Sequence, residues 1–270
     1  MRNRIVSIAT VVGLALPAAA CGDSSEPSSE PSATPTELTV LGAASLTEVF
    51  PEIGEQFTKD NPDVTFAFSF AGTDQLTAQI EQGAPADVFA GASTKYGDQL
   101  SGEDLIDAPK IFCTNQLVVI TPAANPGDVE TLEDLATKPV KLVIGAETVP
   151  VGSYTSTVLS NLDAVYGDGY SDRVLANVVS NEDSVTSIVT KVQSGEADAG
   201  FVYITDALAA GSDVNTITLP DHAQAVAQYP IAVVAASEHA NQAQAFVDYV
   251  LSSPAQDLLQ EAGFGPPPAT

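Results

Sequence analysis

From Leu38 to Ala262 short apolar runs alternate with segments whose apolar residues recur every three or four positions. Residues 38–41, 64–71, 87–90, 116–120, 141–144, 200–204 and 231–235 have the length and composition of strands. Between the first two, Leu46, Val49, Phe50, Ile53 and Phe57 fall on one face of a helix over 45–59. Val185, Ile188, Val189 and Val192 share such a face further on. Helices are also expected over 74–82, closed by Gly83, and over 153–162, 242–251 and 254–262. Pro51 breaks a helix interior, so the first helix starts late or kinks there. This alternation predicts α/β architecture with mostly parallel sheets, and no internal repeat is visible.

The first residues stand apart. Arg2 and Arg4 precede a largely apolar stretch over 5–16, and Ala18-Ala19-Ala20-Cys21 follows. That order predicts a secretory signal over 1–20, too short for a stable membrane span. Small residues directly before a Cys resemble a bacterial lipoprotein cleavage site, so Cys21 is the expected lipidation residue, although Ala18 stands where Leu is commoner. The rival is an ordinary signal with a chance Cys. The stretch after it is Ser, Pro, Glu and Thr with almost nothing apolar, which predicts a disordered tether over 21–36. The resulting location is the outer face of the cell membrane, held by lipid alone.

Removal of residues 1–20 leaves seven Lys and Arg against 35 Asp and Glu, a formal charge of −28. Nucleic acid is excluded as a partner, because its affinity comes from cations on phosphate. Charge-driven binding to an anionic membrane is excluded likewise. With Cys21 lipidated, Cys113 has no disulfide partner and reads as a buried structural thiol. His222 and His239 lie far apart, so no His-based metal site is expected.

Four helices open with hydroxyl, amide or Gly-containing turns: at Ser45-Leu46-Thr47-Glu48, a capping-box pattern, at Thr73, at Val149-Pro150-Val151-Gly152-Ser153, and at Asn181-Glu182-Asp183-Ser184. Helix N-termini carry unpaired N–H groups and a positive dipole end, and where several converge they hold an anion without formal charge. The mature cations Lys59, Lys95, Lys110, Lys138, Lys141, Arg173 and Lys191 all lie outside these motifs. Any bound anion must therefore rest on neutral donors. The plain alternative is that every α/β protein caps its helices with Ser, Thr, Asp and Asn.

Gly42-Ala43-Ala44-Ser45-Leu46-Thr47 and Ile80-Glu81-Gln82-Gly83-Ala84-Pro85-Ala86-Asp87-Val88 resemble the molybdate-binding proteins of ABC transporters. Val149–Tyr154, Glu182-Asp183, Gly200-Phe201-Val202-Tyr203 and Tyr229-Pro230-Ile231-Ala232-Val233-Val234 follow in the order of that family, so the resemblance spans Leu38 to Phe264. It implies a two-lobed periplasmic-binding-protein-like fold of type II with a hinge of two crossing strands. Lobe 1 would take 37–115 plus 231–270 and lobe 2 would take 116–230, with crossings near Gln116 and Tyr229-Pro230. Carried over by position, the ligand residues would be Ser45 and Thr73 from the first lobe and Val151, Ser184 and Tyr203 from the second. The ligand would be molybdate or tungstate, with molybdenum bound as its oxyanion and no metal coordinated directly. The resemblance further implies a monomer without cofactor that delivers its ligand to an ABC permease. Thr73, Val151 and Ser184 stand where Ser, Ala and Val are frequent in the family.

Other readings stay open on the residues alone. The same fold could hold sulfate, phosphate or an organic acid, and Asp74 or Asp183 could accept a proton-bearing ligand's hydrogen bond. A secreted enzyme is the less favoured reading, since the chain has no Gly-x-Ser-x-Gly, His-Glu-x-x-His or Cys-x-x-Cys. An adhesion or scaffold module is a further rival.

Overall fold

The computed structural model describes residues 35–268. The expected signal, Cys21 and the tether up to residue 34 lie outside the described residues. In chain order, β1 (Thr36–Ala43) leads through a 3₁₀ turn (Ala44–Leu46) to α1 (Val49–Asp60), β2 (Val64–Ala71), α2 (Thr73–Glu81), β3 (Val88–Ala90), α3 (Thr94–Gly102) and β4 (Lys110–Asn115). Then come β5 (Leu117–Pro122), α4 (Asp134–Thr137), β6 (Leu142–Gly145), α5 (Pro150–Tyr166), α6 (Tyr170–Leu175), β7 (Val178–Glu182), α7 (Val185–Gln193), β8 (Ala199–Tyr203) and α8 (Ile204–Ala210). The chain closes with β9 (Val214–Thr218), β10 (Ala227–Val233), α9 (Ala240–Val250) and α10 (Ser253–Glu261).

The strands form two sheets of five, ordered β2-β1-β3-β10-β4 and β7-β6-β8-β5-β9. β1 runs parallel to β2 and β3, and β6 runs parallel to β7 and β8. β10 and β5 run antiparallel to both of their neighbours. The sheets are therefore mixed rather than mostly parallel. β5 and β10 each arrive from the other sheet, not over a crossover helix on their own sheet, so nothing holds them to the parallel direction.

The chain passes between the sheets twice, at Gln116 and within 219–226. The second passage precedes the expected Tyr229-Pro230, because Ala227, Gln228 and Tyr229 already pair with Asn115, Thr114 and Cys113 of β4. At the start of the fold Thr36 is strand rather than tether: its N–H donates to the Asp63 carbonyl at 2.7 Å.

Pro51 delays the first helix. A proline at 51 has no N–H to return to residue 47, so α1 starts at Val49 with Pro51 in the first turn, where that donor is not needed. Ser45 is thereby stranded one turn too early to cap α1, and the capping-box expectation fails there. Gly83 ends α2 as predicted, at φ +78, with the Ala84 N–H donating to the Gln79 carbonyl at 2.9 Å. Cys113 is fully buried, and burial pushes its thiol well above the ordinary range, so it stays protonated. Among the described residues no helix is long and apolar enough to cross a membrane.

Candidate functional site

The parallel strands of both sheets point their C-terminal ends at one another, and each end turns into a helix start. After β1 comes the 3₁₀ turn with Ala44 and Ser45. After β2 comes α2, whose N-cap is Gly72 and whose first residue is Thr73. After β6 comes α5, with Pro150 and Val151 at its start, and after β7 comes α7, with Ser184 as N-cap. β8 ends at Tyr203, the N-cap of α8. Ser45, Thr73, Val151 and Tyr203 line one small cavity of ≈ 10 Å³, together with Gly72 and Val185. Ser184 lines the open cleft beside it instead.

No side chain caps the 3₁₀ turn, α2 or α5, so their first-turn N–H groups are left for another acceptor. α7 is capped: the Ser184 hydroxyl accepts from the Ser187 N–H at 3.3 Å. The hydroxyls of the first sheet have other neighbours than a capping role predicts. Ser45 Oγ shares a hydrogen bond with Tyr229 Oη at 2.8 Å. Thr73 Oγ1 accepts from the Ala92 N–H at 3.1 Å.

Tyr203 is 2 % exposed, and its phenol oxygen has no hydrogen-bond partner among the described residues. Burial, and after it the neighbouring Tyr229, pushes the Tyr203 phenol well above its ordinary range. It is thus a neutral O–H whose donor is unspent, and leaving such a group without an acceptor is costly. Tyr229, edge-on to Tyr203 at 6.1 Å between ring centroids, is likewise pushed up by burial. Below Tyr203, the Asp206 carboxylate in the first turn of α8 accepts the Tyr203 N–H at 3.1 Å. Burial raises Asp206 to about 7, against backbone hydrogen bonds that lower it.

Close backbone approach makes glycine necessary at two places. A Cβ on Gly72 would sit 2.4 Å from the Asp183 carbonyl oxygen, across the seam between the sheets. A Cβ on Gly152 would sit 2.0 Å from the Ala146 carbonyl oxygen, so glycine lets α5 start against the end of β6. The seam is further tied by the Gln75 amide donating to Asp183 at 3.3 Å and by the Tyr96 hydroxyl donating to the Thr148 carbonyl. No Lys, Arg, Asp or Glu lines the cavity. Its surface offers hydroxyls, backbone N–H groups and small apolar side chains, which is the donor set that a compact anion requires.

Two participants escape the sequence reading. Tyr229, which positions Ser45, looks like any apolar-strand aromatic until β10 is known to lie beside β4. Val185, which lines the cavity where Ser184 was expected, is an ordinary member of an apolar helix face.

Residues 38–265 match the family of bacterial extracellular solute-binding proteins. The molybdate-binding protein ModA of Mycobacterium tuberculosis H37Rv is 37% identical over 268 residues, covering 97% of each chain. The solved substrate-binding domain of a putative molybdenum ABC transporter from Clostridium difficile is 31% identical at a TM-score of 0.65, covering 86% of this chain and 99% of that one. The periplasmic molybdate-binding protein of Azotobacter vinelandii has the same fold at a TM-score of 0.75 and 22% identity, covering 86% of this chain and 100% of that one. With its two sheets, its cavity at their facing strand ends and these likenesses, the chain belongs to the bacterial extracellular solute-binding proteins.

Proposed function

We propose that this protein captures molybdate or tungstate outside the cytoplasm and hands it to an ABC importer. The observation that carries the reading is the convergence of uncapped helix starts and the unspent Tyr203 phenol on one cavity without charged side chains. A fully ionised tetrahedral oxyanion accepts from every side and needs no acceptor in return. Ser45, Thr73 and Tyr203 donate through hydroxyls in this reading, and Val151 and Val185 through backbone N–H groups, with Ser184 holding the α7 start in place. Neither Asp74 nor Asp183 lines the cavity, but Asp74 Oδ1 is buried beside Gly72 without a hydrogen-bond partner among the described residues, so phosphate is the competitor that the titration below must separate. The relatives named for molybdate favour the larger oxyanions over sulfate.

The work is binding and release, without a catalytic step. Lobe 1 (37–115 plus 231–270, with Ala227–Pro230 joining it) and lobe 2 (116–226) close on the ligand about the two passages between the sheets. The protein acts as a monomer held to the membrane by lipid on Cys21, and a Cys21→Ser variant that still fractionates with membranes at mature size would refute the anchor. Calorimetric titration of the chain from residue 35 with molybdate, tungstate, sulfate and phosphate tests the ligand. Tight binding of the first two and weak binding of the others is expected; the reverse order overturns the assignment.

A further inference from the structure

The cavity opens beside a cleft lined by Ala44, Ala71, Ser184, Glu182, Glu196 and Lys191, of which Ala44 and Ala71 also line the cavity itself. An oxyanion that reaches the site along this cleft passes Glu182, whose carboxylate is nearly buried, with the residue 8 % exposed. Glu182 is the last residue of β7, two positions before the Ser184 cap, and its carbonyl is fixed by the Ala146 N–H at 2.8 Å. That bond fixes the backbone from which the carboxylate projects.

Lys191 answers it from α7. The Lys191 ammonium lies 2.6 Å from Glu182 Oε1 and 3.0 Å from Ser180 Oγ, and the Ser180 hydroxyl in turn donates to the same carboxylate oxygen. The Lys191 side chain is 33 % exposed and is the one cation among the residues lining the cleft. For a protein carrying a formal charge of −26, an uncancelled carboxylate at the mouth of a dianion site adds repulsion where solvent screens it least.

We propose that Lys191 is a positioning residue for anion capture: by pairing with Glu182 it cancels the one nearly buried negative charge on the path to the oxyanion site. Lys191 does not touch the ligand. It cancels the Glu182 charge and holds that carboxylate against Ser180. This inference rests on the proposed oxyanion function.

The test is a double-mutant cycle on the full mature chain, with molybdate as the probe and stopped-flow and calorimetric readouts at low and at 0.5 M salt. Lys191→Met is expected to weaken binding about tenfold at low salt, chiefly through a slower association rate, and less at high salt. Lys191→Met combined with Glu182→Gln is expected to restore affinity to within about twofold of the parent, because the repelling charge leaves with its partner. Melting temperatures separate lost folding from lost capture, since a purely structural ion pair would move stability without moving the salt dependence of association. A parent chain that binds no oxyanion overturns the proposed function and this inference with it. A parent that binds while Lys191→Met binds equally well, or a double variant as weak as Lys191→Met, overturns the inference alone.

Discussion

The two lobes have one plan and two chemistries. In each, three parallel strands stand in the same order, β2-β1-β3 and β7-β6-β8, and the strand beside them, β10 or β5, has crossed from the other lobe. The cavity draws on matching places in both. The first parallel strand gives Ser45 in lobe 1 and Val151 in lobe 2, the second gives Thr73 and Val185, and the third gives Ala92 and Tyr203. The cores differ: nine of the ten phenylalanines fall in lobe 1, with Phe50, Phe57, Phe66 and Phe246 packed edge to face, whereas lobe 2 is mainly aliphatic around Phe201. The position of the site therefore follows from topology, since strand ends at the switch of strand order make the crevice. Its chemistry follows from single residues. In the proposed binding mode lobe 1 would supply side-chain hydroxyls from two of its three places, while lobe 2 would supply backbone from two and one phenol from the third.

The comparison breaks first at Ser45. Ser45→Asp places a carboxylate in a cavity that holds no charged group, facing a dianion. Binding of molybdate is expected to vanish in calorimetry while the fold persists, because Ser45 makes no capping bond and a carboxylate there can still accept from the Tyr229 hydroxyl. Unchanged affinity would show that lobe 1 contributes no ligand group at this place.

Gly72→Ala tests the seam rather than the donors. The added Cβ meets the Asp183 carbonyl at 2.4 Å, so the lobes must part and the helix starts of α2 and α7 must separate. The expected loss is about a hundredfold, equivalent to one or two hydrogen bonds to a charged group. Small-angle scattering under saturating molybdate should show the variant more open than the parent; equal compactness with equal affinity would remove the seam from the account.

The contrast between side-chain and backbone donors is sharpened by truncation in pairs. Ser45→Ala and Tyr203→Phe should each cost about 1.5–3 kcal/mol of binding, the range for one hydrogen bond to a charged partner, or roughly 10- to 150-fold. Val151→Ala should leave affinity within about threefold, since the N–H remains when the side chain is cut. Equal losses on both sides would mean that the Val151 side chain, not its backbone, meets the ligand.

Much of this plan was legible in the residues. The strongly periodic segments, β1, β2, β5, β6 and β8 with α1, α2 and α7, stand where their apolar spacing puts them, because β1, β5, β6 and β8 are mostly buried, β2 lays Phe66, Phe68 and Phe70 against the core, and one face of each helix is buried. α3 was not legible: its buried face is only Tyr96, Gly97 and Leu100, too thin to raise a pattern. β7 and β9, edge strands, were missed because each buries only one residue; Val179 is 60 % exposed. The site residues followed from helix starts plus family resemblance, but the roles shifted with geometry. Ser45 lost its cap to the missing N–H of Pro51 and gained Tyr229, a partner 184 positions away that no local pattern reveals. The Glu182–Lys191 pair was hidden for the same reason in miniature, since it spans the end of a strand and the last turn of a helix.

The smallest expected effect concerns the third strand ends, where lobe 2 places Tyr203 and lobe 1 places Ala92. Only the lobe 2 member is held by a titrating group, the Asp206 carboxylate that accepts the Tyr203 N–H. Asp206 titrates at about 7 in the fold against an ordinary 3.8, chiefly because burial disfavours its charge. Between those two values the folded chain binds the proton that the unfolded chain releases, so its stability falls as pH rises through the window and levels off above about 7. Asp206→Asn keeps an oxygen for the Tyr203 N–H and removes the titration. The variant should therefore gain on the parent in melting temperature as pH rises from about 5 to about 8, with little difference at the acid end. Asp134, lowered to about 2 mainly by hydrogen bonds from Glu130 and Thr131 that outweigh its burial, loses its contribution only at more acid pH and is common to both proteins. Parallel melting curves for parent and variant across that range would show that Asp206 stays ionised and that Tyr203 is held by a charge throughout.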